Sequence, residues 1–238
     1  MPHRFAYVKQ NMNNSSHFVV FFFSPPFIAF QDEVLYNENM EKDVRQPVQR
    51  RSIDKKERII KAAYELFSTN GYYGTVTSDI AKAAGVSTGI VYGYFKDKRD
   101  ILFYVIKIYI KETASPIMEY ICSLAAPFSP ERLMREVVDL TEKMHKQNAN
   151  LHNILHSLAF TDRDINEEFL RLEDHITISA SKKLRELGYN ADHLEEKVHL
   201  AMNLIQSYAH ESIYDKHDYI DYNAMKEDVI QTLVLRFK

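Results

Sequence analysis

The sequence predicts an all-α fold in two parts, a small N-terminal three-helix unit and a larger C-terminal helical body. Three observations predict it. Apolar residues recur at spacings of three and four over most of the chain beyond Ile53. Six Gly and seven Pro in 238 residues supply too few turns for a β-rich protein. Charge is also segregated: residues 45–98 carry ten Lys/Arg against five Asp/Glu, whereas 99–238 carry 17 against 23. A basic segment on a larger acidic body points to one face that meets phosphates and another with a different task.

Residues 1–39 have a different texture. They are Asn/Ser-rich and then apolar from Phe18 to Phe30, broken by Pro25 and Pro26. That run is shorter than the ~20 residues a membrane helix needs, and no small-residue cleavage site follows it. It is expected to be an unstructured extension, with Met40 as the physiological start. Arg45, Arg50 and Arg51 then form a basic arm suited either to a solvated linker or to DNA phosphates.

The first helix is expected from Ile53, with Asp54 as N-cap and Glu57 three residues on. Its stripe is Ile59, Ile60, Ala63, Leu66 and Phe67, and Asn70-Gly71 stops it. Thr75 or Val76 opens a second helix that runs through Ala84, and Gly85 supplies the turn. Ser87 caps a third helix to about Tyr94. Two short helices around a Gly-containing turn form a helix-turn-helix, whose second helix fits a major groove. Thr88, Gly89, Tyr92, Gly93 and Tyr94 give that helix hydroxyls, bare backbone and aromatic faces, with no carboxylate. Two glycines cost a helix about 1 kcal/mol each relative to Ala, a cost that makes sense where the backbone must approach something closely.

The stretch Thr77-Ser78-Asp79-Ile80-Ala81-Lys82-Ala83-Ala84-Gly85-Val86-Ser87-Thr88-Gly89-Ile90-Val91-Tyr92-Gly93-Tyr94-Phe95-Lys96-Asp97-Lys98 resembles the DNA-binding domain of the tetracycline-repressor (TetR/AcrR) family. Upstream, Ala62 to Phe67 with Asn70-Gly71-Tyr72 resembles that family's first helix, so the likeness runs over about residues 53–102. The resemblance implies that Thr77 and Ser78 meet phosphate or a base edge. It places Thr88, Gly89 and Tyr92 at base edges and thymine methyls, and Tyr94 and Lys98 on the phosphate backbone. Ser78 and Gly93 are smaller than the residues common in the family at those places.

Beyond Lys98 the chain reads as five or six helices. Residues 101–110 are apolar except Lys107, the mark of a helix buried on several sides, and Pro116 should kink or end it. Ser129-Pro130-Glu131 is a clean helix start, reaching about Lys146. Further helices are expected near 150–160, over 164–187, from Asn190 or Ala191 to about Tyr214, and over 221–237. Stripes mark the last two: Leu194, Val198, Ala201, Ile205 and Ala209 on one; Met225, Val229, Leu233 and Phe237, with Ile230 and Val234, on the other. The resemblance implies that this pair builds a homodimer interface, although the same stripes could serve the chain's own core. It also implies a small-molecule effector site whose occupancy moves the fourth helix and spreads the DNA heads. Tyr120, Phe128, His152, His156, Phe160, Phe169, His175 and Tyr208 are the expected lining residues.

An enzyme reading fares worse. Glu142-x-x-His145 and Glu196-x-x-His199 match the helical element of di-iron bundles. At 100° per residue, however, Glu196 faces away from the stripe through Leu194, Val198 and Ile205. His152 and His156, at i and i+4, supply two metal ligands only. No nucleophile elbow, P-loop or dinucleotide fingerprint is present, so no catalytic residue, metal or cofactor is expected. The sole cysteine, Cys122, suits a reducing cytoplasm. The expected organisation is an extension and arm over 1–51, a helix-turn-helix DNA-binding domain over 52–98, with the motif itself at about 76–95, and an effector-binding and dimerisation domain over 99–238. The expected function is a cytoplasmic, homodimeric DNA-binding transcriptional regulator on a near-palindromic operator, a repressor released by a small molecule. The alternatives are a ligand-independent or activating regulator, or a helical metal-binding enzyme.

Overall fold

A computed structural model describes residues 50–237; the expected extension, the start at Met40 and most of the basic arm lie outside them. Among the described residues there are nine helices and no strand. They are α1 (Arg50–Asn70), α2 (Thr77–Ala83), α3 (Thr88–Tyr92), α4 (Lys98–Ser123), α5 (Pro130–Gln147), α6 (Ala149–Ala159), α7 (Arg163–Glu186), α8 (Leu194–Tyr214) and α9 (Tyr222–Arg236).

Helix α1 begins at Arg50, before the expected Ile53, so Asp54 lies inside the helix rather than capping it. The extra turn has a tertiary anchor that local sequence does not reveal: the Ser52 and Tyr94 hydroxyls share a hydrogen bond of 2.7 Å. The expected stripe is buried through Ile59, Ala63 and Phe67, and Ile80, Ala81, Val91 and Phe95 are buried in the same head. Gly71, at φ +77°, ends the helix, and its amide donates to the Phe67 carbonyl at 3.1 Å.

Helix α4 joins head to body. Ile101, Leu102, Phe103, Val105, Ile106, Tyr109 and Ile110 are all buried, as an all-round apolar helix requires. It continues through Pro116 to Ser123. Ala114, Ser115, Met118 and Ile121 around the proline are buried, so tertiary packing outweighs the lost backbone hydrogen bond. Helix α5 opens as expected: Ser129 Oγ accepts from the Arg132 amide at 3.3 Å, with Pro130 at the first position. Helix α8 opens later than expected, at Leu194, because His193 takes a left-handed conformation (φ 55°) after the turn at Gly188.

In the body, α5 packs on α4, α8 and α9, while α7 packs on α4 and α8. Of the two uses expected for the stripes of the last two helices, the chain's own core claims them. Leu194, Val198, Ala201, Ile205 and Ala209 of α8, and Val229, Ile230, Leu233 and Phe237 at α9, are buried within the single chain. Met225 and Val234 pack partly buried against the same core. The stripes are real, and they face α5 of the same chain. Their outer sides expose Leu200 at 55% and Leu235 at 68%.

Candidate nucleic-acid interface and effector cavity

The turn between α2 and α3 is fixed by backbone chemistry. The Gly85 amide donates to the Lys82 carbonyl at 3.2 Å and the Val86 amide to the Ala81 carbonyl at 3.0 Å. That paired closure requires the left-handed residue that Gly85 provides, at φ +65°. At the front of α2, the buried Thr75 donates its hydroxyl to the Gly71 carbonyl at 2.9 Å, and Asp79 accepts the Val76 amide at 3.2 Å. Ser87 Oγ then accepts the Ile90 amide at 3.4 Å and starts α3.

Helix α3 buries a single residue, Val91, and turns Thr88, Gly89 and Tyr92 outward, with Gly93 exposed just behind. Tyr92 stands 54% exposed. Nothing in the fold requires Gly89 to be glycine, since an added Cβ would meet only Ser87 Oγ at 4.0 Å. Ser78 is exposed beside α3 and Thr77 is half-buried at the first turn of α2. Tyr94 and Lys98 are engaged within the chain. Tyr94 bonds Ser52, and the Lys98 ammonium donates to the Tyr72 and Thr75 carbonyls, both at 2.8 Å. Burial pushes the Lys98 pKa down, and the ammonium sits 4.3 Å from the Tyr72 ring. Two of its three N–H donors therefore hold the loop that presents α2. Lys82 and Lys96 flank the outward face in exposed positions.

The joint between head and body is polar. Arg99 makes a forked pair with Asp162 (2.8 Å) and reaches Asp164 (2.8 Å), fastening the start of α4 to the start of α7. These contacts hold the Arg99 pKa above its ordinary value. Tyr64 Oη on α1 lies 2.7 Å from Glu112 and 2.8 Å from Asn148. Sequence reasoning passed over these residues, although Asp162 caps α7 in the pattern that marks helix starts.

Within the body, a cavity of about 150 Å³ is lined by Tyr109, Thr113, His145, His152, His156, Phe169 and Glu173, among others. Three expected lining residues, His152, His156 and Phe169, meet there; the rest do not. Tyr208 lies in the apolar core, its hydroxyl 3.3 Å from Glu142 and from the Tyr222 carbonyl. Tyr120 and Phe128 pack partly buried against that core. His175 is half-buried on α7, its Nε2 3.4 Å from Ser179 Oγ. Phe160 is 91% exposed, because it follows the last turn of α6 instead of riding on its buried face. Tyr109, His145 and Glu173 were not anticipated as lining: His145 drew notice only through its Glu-x-x-His spacing, and neither Tyr109 nor Glu173 carries any local mark.

The histidines are held neutral by their surroundings. The His152 ring lies 4.5 Å from that of His145, 4.1 Å from His156 and 5.7 Å from His210, and stacks on Tyr214 at 5.3 Å. Burial, then repulsion from neighbouring histidines, lowers the His152 pKa to about 2 and that of His156 to about 4. Tyr109 Oη shares a 2.6 Å hydrogen bond with His152 Nδ1. No group of three or more His, Cys, Asp or Glu among the described residues is arranged to hold a metal ion, and the Glu196 side chain is 70% exposed, off the core side of α8. No helix among the described residues is long and apolar enough to cross a membrane.

Residues 59–105 match a family described as bacterial regulatory proteins, tetR family. The chain is 43% identical over 84 residues to the HTH-type transcriptional regulator HbdR of Aromatoleum sp. (strain CIB), covering 35% of this chain and 36% of that protein. It is 50% identical over 50 residues to the fatty acid metabolism regulator protein of Bacillus subtilis (strain 168), covering 21% of this chain and 26% of the relative. The chain thus spans about a third and a quarter of those two relatives. Among solved structures, a protein from Mesorhizobium loti MAFF303099, described as a TetR-family transcriptional regulator, superposes with a TM-score of 0.62 at 20% identity. That superposition covers 79% of this chain and 97% of that one. The fatty acid degradation regulator FadR from Bacillus halodurans gives a TM-score of 0.51 at 22% identity over 81% and 97%. These likenesses extend the shared fold through the helical body.

Proposed function

We propose that this chain, whose residues 59–105 match the tetR family of bacterial regulatory proteins, is a sequence-specific DNA-binding transcriptional regulator of that family, a repressor released by a small-molecule effector. The observation that carries this reading is the outer face of α3: hydroxyls, glycine backbone and one exposed tyrosine, on a helix that buries only Val91. Such a face has little to offer a core and much to offer a groove, where base edges accept and donate hydrogen bonds and thymine methyls seek apolar contact. Thr88, Gly89 and Tyr92 read base edges. Thr77 and Ser78 contact the backbone or an adjacent base. Tyr94 and Lys98 brace the motif from within, and the third Lys98 donor is directed to phosphate. The molecule works in the cytoplasm as a homodimer, since two α3 helices about 34–36 Å apart are needed to read two half-sites. The outer sides of α8 and α9, with Leu200 and Leu235, form the dimer face. The effector occupies the histidine-lined cavity, and the chain has no catalytic role.

Selection of bound fragments from the source organism's own DNA, followed by footprinting, tests this. The expected result is protection of a near-palindromic site with an affinity that falls steeply with salt. Equal affinity for random duplexes at every salt concentration would overturn it.

A further inference from the structure

The cavity of about 150 Å³ has an unbalanced wall. Its one lining side chain with an ordinary full charge is Glu173; no Lys or Arg lines it. Glu173 makes no hydrogen bond or ion pair among the described residues, and burial pushes its pKa up. His199 attracts its charge and Asp174 repels it, and His199 Nδ1 itself lies 3.3 Å from the Thr177 hydroxyl.

The second unbalanced group is His145, 7% exposed on α5. Its Nδ1 lies 2.9 Å from the Thr141 carbonyl. A carbonyl only accepts, so Nδ1 carries the proton, and Nε2 is a bare lone pair. That Nε2 is buried without a partner. A buried acceptor left unmade is costly, and here it belongs to a residue that lines a cavity. Thr141 donates to the Val137 carbonyl at 2.8 Å, Thr113 to the Tyr109 carbonyl at 2.9 Å, and Tyr109 is bonded to His152, while Asn203 and Gln206 add neutral amides to the wall. What the wall lacks is a hydrogen-bond donor bearing positive charge.

A second cavity of about 80 Å³ lies alongside, lined by Leu133, Met134, Ala180, Leu184, Ile205 and Phe237 among others, and almost wholly apolar. The two share Ile117, Thr141, Ile176, Met202 and Gln206, so they lie end to end. Met202 and Gln206 are unbranched and adaptable, able to swing between rotamers and join the spaces.

We propose that the joined cavities bind a lipophilic ammonium: a primary or secondary amine, protonated, whose N–H groups meet Glu173 and the His145 Nε2 and whose hydrocarbon body enters the apolar end. This deepens the regulator reading and rests on it for the ligand's role as effector. The Tyr109 and Phe169 rings, in edge-to-face contact with centroids 6.4 Å apart, line the same space. A carboxylate would sit beside Glu173 with no cation to neutralise it, which low-polarity surroundings penalise heavily. An alcohol would satisfy His145 but leave Glu173 unpaired.

Calorimetric titration of the full chain at pH about 7.5 with octylammonium, octyltrimethylammonium, 1-octanol and octanoate tests the proposal without any DNA present. Octylammonium is expected to bind one saturable site at least about tenfold more tightly than 1-octanol or octanoate, the usual worth of a charge-assisted hydrogen bond. It is also expected to exceed octyltrimethylammonium, which has no N–H. Glu173→Gln, checked for native helicity, should weaken octylammonium about tenfold and leave 1-octanol unchanged. If that variant misfolds, His145→Phe takes its place and should narrow the preference for octylammonium over the quaternary ion. Octanoate or 1-octanol binding as tightly as octylammonium, no saturable octylammonium site, or a folded Glu173→Gln with unaltered affinity would each overturn the proposal. A chain that selects an operator yet rejects octylammonium overturns the ligand class alone; one that binds octylammonium but shows no operator preference overturns the regulator reading.

Discussion

The outer face of the short helix α3 and the stripes of the long pair α8 and α9 were both candidates for a partner outside the chain, the stripes for the chain's own core as well, and the structure treats them differently. On α3 the assigned residues do face outward, with Val91 the one buried side chain. On α8 and α9 the assigned stripes face inward, with Ile230 1% exposed and Ala209 fully covered. The difference is chemical. Hydroxyls and glycine gain little from a core, so finding them on one side of a helix says which way that side looks. An aliphatic stripe is driven under cover by any apolar surface within reach, and in α8 and α9 that surface is α5 of the same chain. Apolar periodicity thus reveals that a face is covered without revealing what covers it.

The sharpest way to break this comparison is at Ile230. Ile230→Ala should destabilise the fold by about 2–5 kcal/mol in chemical denaturation, as a filled core position does. Leu235→Ala on the outer side should cost the monomer under about 0.5 kcal/mol and act instead on the dimer equilibrium in sedimentation. Equal effects of the two changes would return the stripes to the interface.

A second, somewhat smaller effect probes the body through pH. The folded-state pKa values of His152 and His156, about 2 and about 4, lie below the ordinary 6.5, so unfolding takes up protons as pH falls. Stability is therefore intact above pH ~6.5 and drains away below it, by on the order of 2 kcal/mol for His152 between pH 7 and 5. Facing it are His145, His156, His210, Tyr109 and Tyr214, with no carboxylate among its ring contacts. Thermal melts should show this slope and His152→Phe should flatten it; a pH-independent Tm in the parent chain contradicts the neutral cluster.

The head is then tested at Tyr92. Tyr92→Ala should reduce operator affinity by about 1–3 kcal/mol while leaving non-specific binding and Tm nearly unchanged; a parallel loss on random DNA would remove Tyr92 from base readout. Gly89→Ala has a signature of opposite signs. With open space around an added Cβ, it should raise stability by up to about 1 kcal/mol and still weaken operator binding, because the methyl stands where the groove must come. Arg99→Ala is expected to be mildest. Its partly exposed pair with Asp162 contributes at most about 1 kcal/mol by denaturation.

What sequence could show divides along the same line. Local punctuation was legible: Asn70-Gly71, Gly85, Ser87 and Ser129-Pro130 all act where they were expected. So was the outward face of α3, whose composition has no other home. Features fixed by distant contacts were not. The early start of α1 depends on a bond to Tyr94, and α4 persists through Pro116 because its flanks are buried elsewhere. The resemblance implies a phosphate role for Lys98, and the grip of its ammonium on carbonyls more than twenty residues upstream has no local mark. The cavity was the least legible part. Aromatic residues on amphipathic helices line cores far more often than sites, and Glu173 stands out only once its lack of a partner is visible.

Helix α4 has a mechanical consequence. Its 26 residues form one rod of about 39 Å, with Lys98 and Arg99 tethered at one end and Tyr109, Thr113, Ala114 and Ile117 on the cavity wall farther along. A tilt of about 5° about the cavity wall moves the Lys98 end by roughly 1.5–2.5 Å at about 1.5 Å of rise per residue, more than a hydrogen bond of 2.8 Å at Lys98 can stretch to absorb. The loop gripped by Lys98, and the helix-turn-helix built on it, would then be carried along as a passenger.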